Sequence, residues 1–401
     1  MCGCADYISE TRKTRRAYET YNTDAALKEL PPLKDAGVDE LLVLLDRGMI
    51  LHAGGRWKDS TEVLGRAEKR SAELDAISVS EEAGTLLGNE RSRHYRGEDF
   101  EKLLINVIQG LNYSMLGDRE GALVEVRRCN ERLHKMQLEE QKPWTQLAIA
   151  RLLGGIAYGD DQDLDSAYID LRATLELAPS LTLLAEPLLR LAQQLGRLQE
   201  LDELKLKFPG QEPSAPLGPG DGELWVIIEA GLSPEKHPAT SRHHGSGRRS
   251  HDDSNDAGLI QFPVYASRGH PDLAQVSVGG ATYAAQAVTS LEAVAKQHLD
   301  SRVGAMMARA LASTAIKAGI AGVAGAVAKD SGVGFLVFLL LSLSNQADLR
   351  SWMSLPNEFQ AVRVRVPAGK QIVTVATRGL SSDYEVEVRP RGMGLLVVRR
   401  Y

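Results

Sequence analysis

The chain has 401 residues, enough for two or three domains around a sizeable core. Its net charge of -6 gives no general reason to expect a nucleic-acid partner, because nucleic-acid-binding domains are usually basic. Aromatic residues make up 5% of the chain and there are three cysteines, so the composition favours helices over an all-β fold and excludes a disulfide framework.

The N-terminus, MCGCADYISE, places two cysteines close together. Gly3 and Cys4 are similar to the end of a bacterial lipobox, but the basic and apolar parts of an export signal do not fit between Met1 and Cys4. We therefore expect that translation starts further upstream and that Cys4 is lipidated, which would place the protein at the periplasmic face of the outer membrane. Two alternatives are a tail without a role on a cytoplasmic protein that starts at Met1, and a Cys-x-Cys metal site without further ligands nearby in sequence.

Residues 1–22 are polar and are predicted to be an N-terminal tether, with the start of the first helix as the alternative. Residues 23–207 are predicted to be helical, because apolar residues recur at spacings of three and four, glycine marks turns and proline is rare. Three helix pairs share one template of small and apolar positions: Gly48, Leu51, Gly55, Ser60, Leu64 and Ala67; Gly110, Tyr113, Gly117, Ala122, Val126 and Cys129; Gly155, Tyr158, Ala167, Leu171, Thr174 and Pro179.

This template resembles the tetratricopeptide repeat, in which small residues let two helices cross closely. The leading glycines lie at 48, 110 and 155, so the intervals are 62 and 45 residues, rather than the roughly 34 of that repeat. We expect insertions or extra helices between the repeats and a degenerate fourth pair at 181–206, around Gly196. A generic α-helical bundle is the alternative.

Residues 208–222, FPGQEPSAPLGPGDG, are rich in proline and glycine and predict a linker. Strands are predicted at ELWVIIEAG, LIQFPVYAS, QVSVGG, DYEVEVRP and LLVVRRY. In QAVRVRVPAGKQIVTVAT, alternating valines on both sides of PAGK predict a β-hairpin. The predicted class is therefore α+β, with a tetratricopeptide-like helical array followed over 223–401 by an α+β domain that has an antiparallel sheet and a helical insertion.

The insertion is predicted over 284–347 and contains two apolar runs, 318–328 and 333–343. Each run is about half of the ~20 residues that a membrane-spanning helix needs, and Lys329 and Asp330 separate them. We expect two buried helices, or a helix and a strand, packed on the sheet. A membrane-inserted hairpin or a partner-binding surface is the alternative.

The sequence contains no P-loop, no G-x-S-x-G elbow, no H-E-x-x-H and no G-x-G-x-x-G after a predicted strand. The metal-like cluster of His243, His244, His251, Asp252 and Asp253 lies in a polar stretch rich in glycine and serine, without the rigid surroundings that a good site needs. We therefore expect a solvated loop there, and no catalytic residue, metal or cofactor in the chain.

The C-terminal strands carry a set of basic residues: Arg363, Arg365, Lys370, Arg378, Arg389, Arg391, Arg399 and Arg400. Such charges most often protect the edges of sheets. The alternative is a basic face that contacts an anionic polymer, such as one of the cell wall, or lipid head groups.

Four stretches resemble a family of uncharacterised bacterial proteins: DRGMILHAGGRWKDSTEVLGRAEKRSAELDAISVSE (46–81), YRGEDFEKLLINVIQGLNYSMLGDREGALVEVRR (95–128), GELWVIIEAGLSP, and DLRSWMSLPNEFQAVRVRVPAGK (348–370). Members of that family resemble lipoproteins with tetratricopeptide-like repeats in the N-terminal half. The resemblance covers about residues 40–375 and implies export and lipid anchoring. The family has no assigned catalytic residues, so the resemblance implies none here.

Within 348–370, Arg350, Trp352, Leu355 and Pro356 are predicted to contact a partner, because a tryptophan beside an arginine is typical of interface hot spots. A packed cap before the next strand is the alternative.

These patterns together predict a non-enzymatic scaffold lipoprotein of the cell envelope that binds a protein partner through the concave side of its repeats. One alternative is a cytoplasmic scaffold. The other is a cell-wall enzyme with a cleft between its two domains, for which His270 or His298 near carboxylates would be the signal.

Overall fold

The computed structural model of the chain describes residues 7–81, 94–139, 146–240, 261–301 and 348–401. Helices fill the first half and strands most of the second, so the predicted α+β class is confirmed. Cys4, the histidine cluster at 243–253 and the apolar runs at 318–343 lie outside the described residues. Within the described residues, no helix is both long and apolar enough to cross a membrane.

Eleven helices precede the first strand of the described chain: α1 Tyr7–Glu10, α2 Arg12–Glu19, α3 Thr23–Glu29, α4 Glu40–Ala53, α5 Trp57–Glu81, α6 Asp99–Met115, α7 Arg119–His134, α8 Ala148–Asp160, α9 Leu164–Leu177, α10 Ala185–Gln194 and α11 Leu198–Lys207. Four antiparallel pairs follow one another, α4 with α5, α6 with α7, α8 with α9, and α10 with α11.

All four pairs are joined by the same turn of three residues, whose middle residue has a left-handed backbone. In each turn the third residue donates its N–H to a carbonyl five residues earlier, as in Arg56 to Leu51 at 2.9 Å and Asp118 to Tyr113 at 2.9 Å. This bond satisfies a carbonyl that the end of the first helix leaves free. The middle residues are Gly55 (φ 70°), Gly117 (φ 73°), Gln162 (φ 65°) and Gly196 (φ 67°), so the turn of the predicted fourth pair matches the others.

The leading glycines of the first and third pairs allow the two helices of a pair to approach. A Cβ at Gly48 would lie 2.4 Å from Leu64 Cδ2, and one at Gly155 would lie 2.5 Å from Leu171 Cδ2. Gly110 of the second pair instead meets Leu153 of the next pair, at 2.7 Å. The shared glycine therefore serves contacts within pairs in two repeats and a contact between pairs in the third.

The N-terminal segment is folded against the rest of the chain from Tyr7 onwards. The Tyr7 hydroxyl donates to Asp46 Oδ2 at 2.6 Å, and the Tyr18 hydroxyl donates to the backbone oxygen of Ser354 at 3.0 Å. Both tyrosines are buried. The prediction of a tether over 1–22 is therefore wrong for residues 7–22, because these two side chains place α1 and α2 in the core.

Among the described residues, ten strands form three sheets: β1 Asp221–Ala230, β2 Glu235–Thr240, β3 Gln261–Ala266, β4 Gln275–Val278, β5 Ala281–Ala284, β6 Gln286–Ser290, β7 Glu358–Pro367, β8 Gly369–Thr377, β9 Leu380–Val388 and β10 Met393–Arg400. The first sheet has the order β10-β1-β7-β6, the second has the order β5-β4-β8-β9, and β2 pairs with β3. The first sheet is mixed rather than antiparallel, because β10 runs parallel to β1.

The predicted hairpin around PAGK is wrong. β7 pairs with β1 and β6 in the first sheet, whereas β8 pairs with β4 and β9 in the second. The chain passes from the first sheet to the second at Gly369. Its φ of 111° is a backbone conformation that glycine adopts readily and other residues rarely adopt. The valines of both strands fill one core between the two sheets, so the alternation indicated the buried faces but not the pairing.

The predicted helical insertion over 284–347 begins with a strand instead. β6 pairs with β7, and a helix, α12, follows over residues 291–301. Within the described residues, the insertion therefore contributes one edge strand of the first sheet and the helix packed beside it.

The two halves share one core. Trp225 and Ile227 of β1 face the helices and belong to the cluster that also contains the apolar side chains of α4, α6, α8 and α10. Leu224, Val226 and Ile228 face the second sheet. Residues 209–220 form neither helix nor strand, but the linker that they were predicted to form does not separate two cores.

Candidate functional site

The first helices of the four pairs are covered by the chain's own sheet. Their side chains are buried over most of each helix. Polar contacts reach the C-terminal half from each of them: Ser354 Oγ donates to Asp46 Oδ1 at 2.6 Å, the Trp352 N–H donates to Glu101 Oε1 at 2.7 Å, the Ile149 N–H donates to Thr289 Oγ1 at 2.9 Å, and Arg190 pairs with Glu223. The side of the repeats that was expected to bind a partner is therefore occupied within the chain.

β1 carries a fully buried glutamate at each end of its helix-facing side, Glu223 and Glu229. Alternation along the strand places both on the same face as Trp225 and Ile227. A buried carboxylate needs a charged or hydrogen-bonding partner, so each glutamate marks a fixed junction between strand and helices.

Glu223 is held by two arginines. Arg190 of α10 and Arg363 of β7 both donate to its Oε1, and the Trp225 indole donates to its Oε2 at 3.3 Å. Both arginines also pair with Glu186, so two positive and two negative charges balance. Burial alone raises the pKa of Glu223, but the guanidinium groups of Arg363 and Arg190 outweigh burial and hold the pKa below its ordinary value.

Glu229 lies at the end of a buried hydrogen-bond chain. The Ser60 hydroxyl donates to the Gly48 carbonyl at 2.7 Å, and it therefore accepts from Asn112 Nδ2 at 2.9 Å. Asn112 Oδ1 then accepts from His52 Nδ1 at 2.6 Å, and His52 Nε2 lies 3.0 Å from Glu229 Oε1. The side chains of His52 and Glu229 are 1% and 0% exposed, so this pair has no access to a solute and serves packing.

Two segments that lie far apart in sequence, 95–101 and 350–352, meet at Glu101. From the first, Tyr95 donates its hydroxyl to Glu101 Oε2, and the Glu98 N–H donates to the same oxygen at 2.9 Å. From the second, the backbone of Trp352 donates to Oε1, and the Arg350 guanidinium lies 5.5 Å from the centre of the Tyr95 ring. Burial raises the pKa of Glu101. Glu101 is therefore a buried junction between these two segments.

The four predicted partner-binding residues are buried at this junction. Arg350, Trp352 and Leu355 are 6%, 0% and 1% exposed, and Pro356 is also buried. Arg350 pairs with Asp39 at 2.7 Å and with Asp348 at 2.8 Å, and the Trp352 indole donates to Ser354 Oγ at 3.0 Å. The prediction of a partner-binding surface is corrected, because the packed cap is the arrangement that the structure has.

The two histidines named for an enzymatic site lie apart. His298 lies 3.4 Å from both Glu98 and Asp99, but its side chain is 8% exposed and Lys236 pairs with the same Glu98. His270 lines a cavity beyond the end of β1 whose lining does not include His298. Within the described residues, no group of three or more histidine, cysteine, aspartate or glutamate side chains could hold a metal ion.

Two cavities of similar size open at opposite ends of β1. One of 280 Å³ is lined by Gln162, Arg190, Leu191, Arg391 and Met393, among others. The other, of 300 Å³, is lined by Arg268, His270, Asp272, Arg378 and Arg400. Of the C-terminal arginines, Arg391 lines the first cavity, and Arg378 and Arg400 line the second.

Comparison with known proteins gives no further assignment. No family model matches the chain, and no curated protein and no solved structure matches it. Function is therefore inferred from the geometry of the chain itself.

Proposed function

We propose that the chain is a non-enzymatic scaffold protein of the bacterial cell envelope that docks a helix of a protein partner on α11, the last helix of its repeat array. The observation that carries this proposal is the exposed face of α11. Leu198 and Leu206 are 69% and 84% exposed. They lie eight residues apart and therefore on the same side of the helix. The ends of repeat arrays normally have a polar outer face, so two exposed leucines on the terminal helix leave apolar surface open to the next helix of a stack.

The charge on this face specifies the partner further. Asp202 lies between the two leucines and is exposed. An amphipathic partner helix with apolar residues flanking one basic residue complements this arrangement. The other side of the repeats supports the same assignment, because the first helices are covered by the chain's own sheet and leave the outer helices for partners.

A photo-crosslinking amino acid at Leu206 is expected to give one defined adduct with another protein in native cells, because this side chain is the more exposed of the two leucines in the proposed contact. The same probe at Ile372, which is 58% exposed on β8, is the matched control and should give none. Asp202→Lys should abolish the adduct without changing the melting temperature.

An adduct with a second copy of this chain would show self-association instead of partner docking. An absence of any adduct at Leu206, or equal adducts at Leu206 and Ile372, would contradict the assignment of α11.

The proposed envelope location depends on lipidation of Cys4, and the fold limits the distance between that residue and the folded part of the chain. Tyr7 is buried, so three residue steps separate Cys4 from the folded part of the chain, a reach of roughly 11 Å at most. A lipid on Cys4 would therefore hold the protein directly against the membrane surface. The cytoplasmic scaffold is the alternative location.

The mass of the N-terminal peptide from native cells is expected to show an acylated Cys4 without Met1 to Gly3, because lipobox cleavage exposes the cysteine. Cys4→Ser should move the protein from the membrane fraction to the soluble fraction. An unmodified peptide that begins at Met1 would contradict the lipid anchor and support the cytoplasmic alternative.

A further inference from the structure

The end of β10 buries an arginine without a counter-charge. Arg400 is 5% exposed, and its hydrogen bonds go to the backbone oxygens of Arg399 and Val375, each at 3.2 Å. Its Nε has no hydrogen-bond partner. Among the described residues, no carboxylate pairs with it. A buried charge in this state is unfavourable unless something else compensates it.

Arg400 lines the cavity of 300 Å³ that lies beyond the end of β1. The turn at 230–232, the loop at 268–272, residues 377–378 and the chain end at 400–401 form its walls. The volume is at the lower end of the ~300–1,000 Å³ that is typical of small-molecule sites. The cavity is therefore large enough for a small anionic group beside the guanidinium.

The other charges of the cavity are paired. Arg268 contacts Glu19 and lies 3.6 Å from Glu235, and Arg378 Nε lies 2.8 Å from Asp272 Oδ2. Each of these arginines thus has a carboxylate partner, whereas Arg400 contacts no carboxylate side chain of the described residues. Arg268, Arg378 and His270 add donors around the same space.

We propose that this cavity binds a phosphate-type oxyanion, with Arg400 as the principal ligand. A guanidinium carries five N–H donors in a planar fork that matches phosphate oxygens, and the two backbone bonds of Arg400 leave further donors for a ligand. The bound anion supplies the charge that the protein does not.

Two sources present this chemistry, a soluble phosphate compound and a phospholipid head group. The second source rests on the proposed membrane location. It is compatible with the path of the chain, because the Tyr401 N–H donates to the Tyr21 hydroxyl at 2.7 Å, which joins the cavity wall to the end of the N-terminal helices.

The test is calorimetric titration of the full chain with inorganic phosphate, alongside sedimentation with phosphatidylglycerol vesicles and with phosphatidylcholine vesicles. Saturable phosphate binding is expected, and Arg400→Gln should weaken it about tenfold or more, since charged hydrogen bonds are lost. Arg399→Gln is the matched control, because Arg399 is 7% exposed on the same strand but points towards Tyr18. It should change the affinity by no more than about twofold.

Arg378→Gln provides a variant that keeps the fold, because this side chain is 87% exposed, and it should weaken binding by about threefold through the loss of a surface charge.

Sedimentation with phosphatidylglycerol vesicles, competed by phosphate, would identify a lipid head group, and phosphate binding without sedimentation would identify a soluble ligand. An absence of saturable binding in both assays, or equal binding by the wild type and Arg400→Gln, would overturn the proposal whether or not the α11 assignment holds.

Discussion

Cutting the chain between its helical and β halves is expected to yield two fragments that cannot fold alone. Residues 7–218 would expose the apolar faces of α4, α6, α8 and α10, which share a cluster with Trp225, Ile227 and Phe359. Residues 219–401 would expose those strand residues together with two buried glutamates. The free energy that each fragment would lose with this burial exceeds the small net free energy of unfolding of an ordinary domain.

The measurement is circular dichroism and thermal unfolding of each fragment, expressed separately and together. Separate fragments should lack a cooperative transition, and co-expressed fragments should form a complex that restores one. A protease site inserted between 211 and 217 is the control, because cleavage there in the folded protein should leave the halves associated. A cooperative transition in either fragment alone would show that the predicted linker does separate two domains.

The helical half could be predicted because its determinants are local. Glycine at Gly55, Gly117 and Gly196 supplies the left-handed residue of a three-residue turn, and apolar spacing gives the buried side of each helix. The cover on that side could not be predicted, because nothing in the spacing indicates whether a groove is open or filled by a distant part of the chain.

In the sheets, the buried faces could be predicted from the sequence, but the strand partners could not. Alternation in β7, β8 and β9 indicated the buried faces, with Val386 and Val388 on one side and Glu385 and Glu387 on the other. Strand partners depend on contacts far apart in sequence, so neither the parallel pairing of β1 with β10 nor the separation of β7 from β8 followed from the pattern.

The polar junctions leave a signal in the sequence. ELWVIIEAG places two glutamates in a strand that is otherwise apolar on both faces, and burial on both faces requires a partner for each carboxylate. Arg190 and Arg363 are the partners of Glu223, and His52 is the partner of Glu229. The tertiary fold determines both pairings. The lack of a carboxylate side chain beside Arg400 is likewise visible only when its neighbours in space are known.

Glu223→Gln is expected to destabilise the fold by about 3–5 kcal/mol, because it leaves Arg190 and Arg363 buried with only Glu186 between them. The measurement is chemical unfolding at neutral pH. Glu385→Gln is the matched control, since its carboxylate pairs with Lys370 on the surface and is 57% exposed, and it should cost less than about 1 kcal/mol. The double variant Glu223→Gln with Arg190→Gln should recover part of the loss, because one uncompensated charge is removed with the carboxylate.

The pH dependence separates lost charge from lost packing. The pKa of Glu223 is lowered in the folded chain from its ordinary value of 4.5, so its contribution is fully present above that value and is lost as the pH falls through the folded pKa. The gap in unfolding free energy between the wild type and Glu223→Gln should therefore shrink as the pH is lowered below about 4.5. A gap that stays constant into the acid range would contradict the charge argument, because protonation of Glu223 removes the same charge that Glu223→Gln removes and the amide fills nearly the same space.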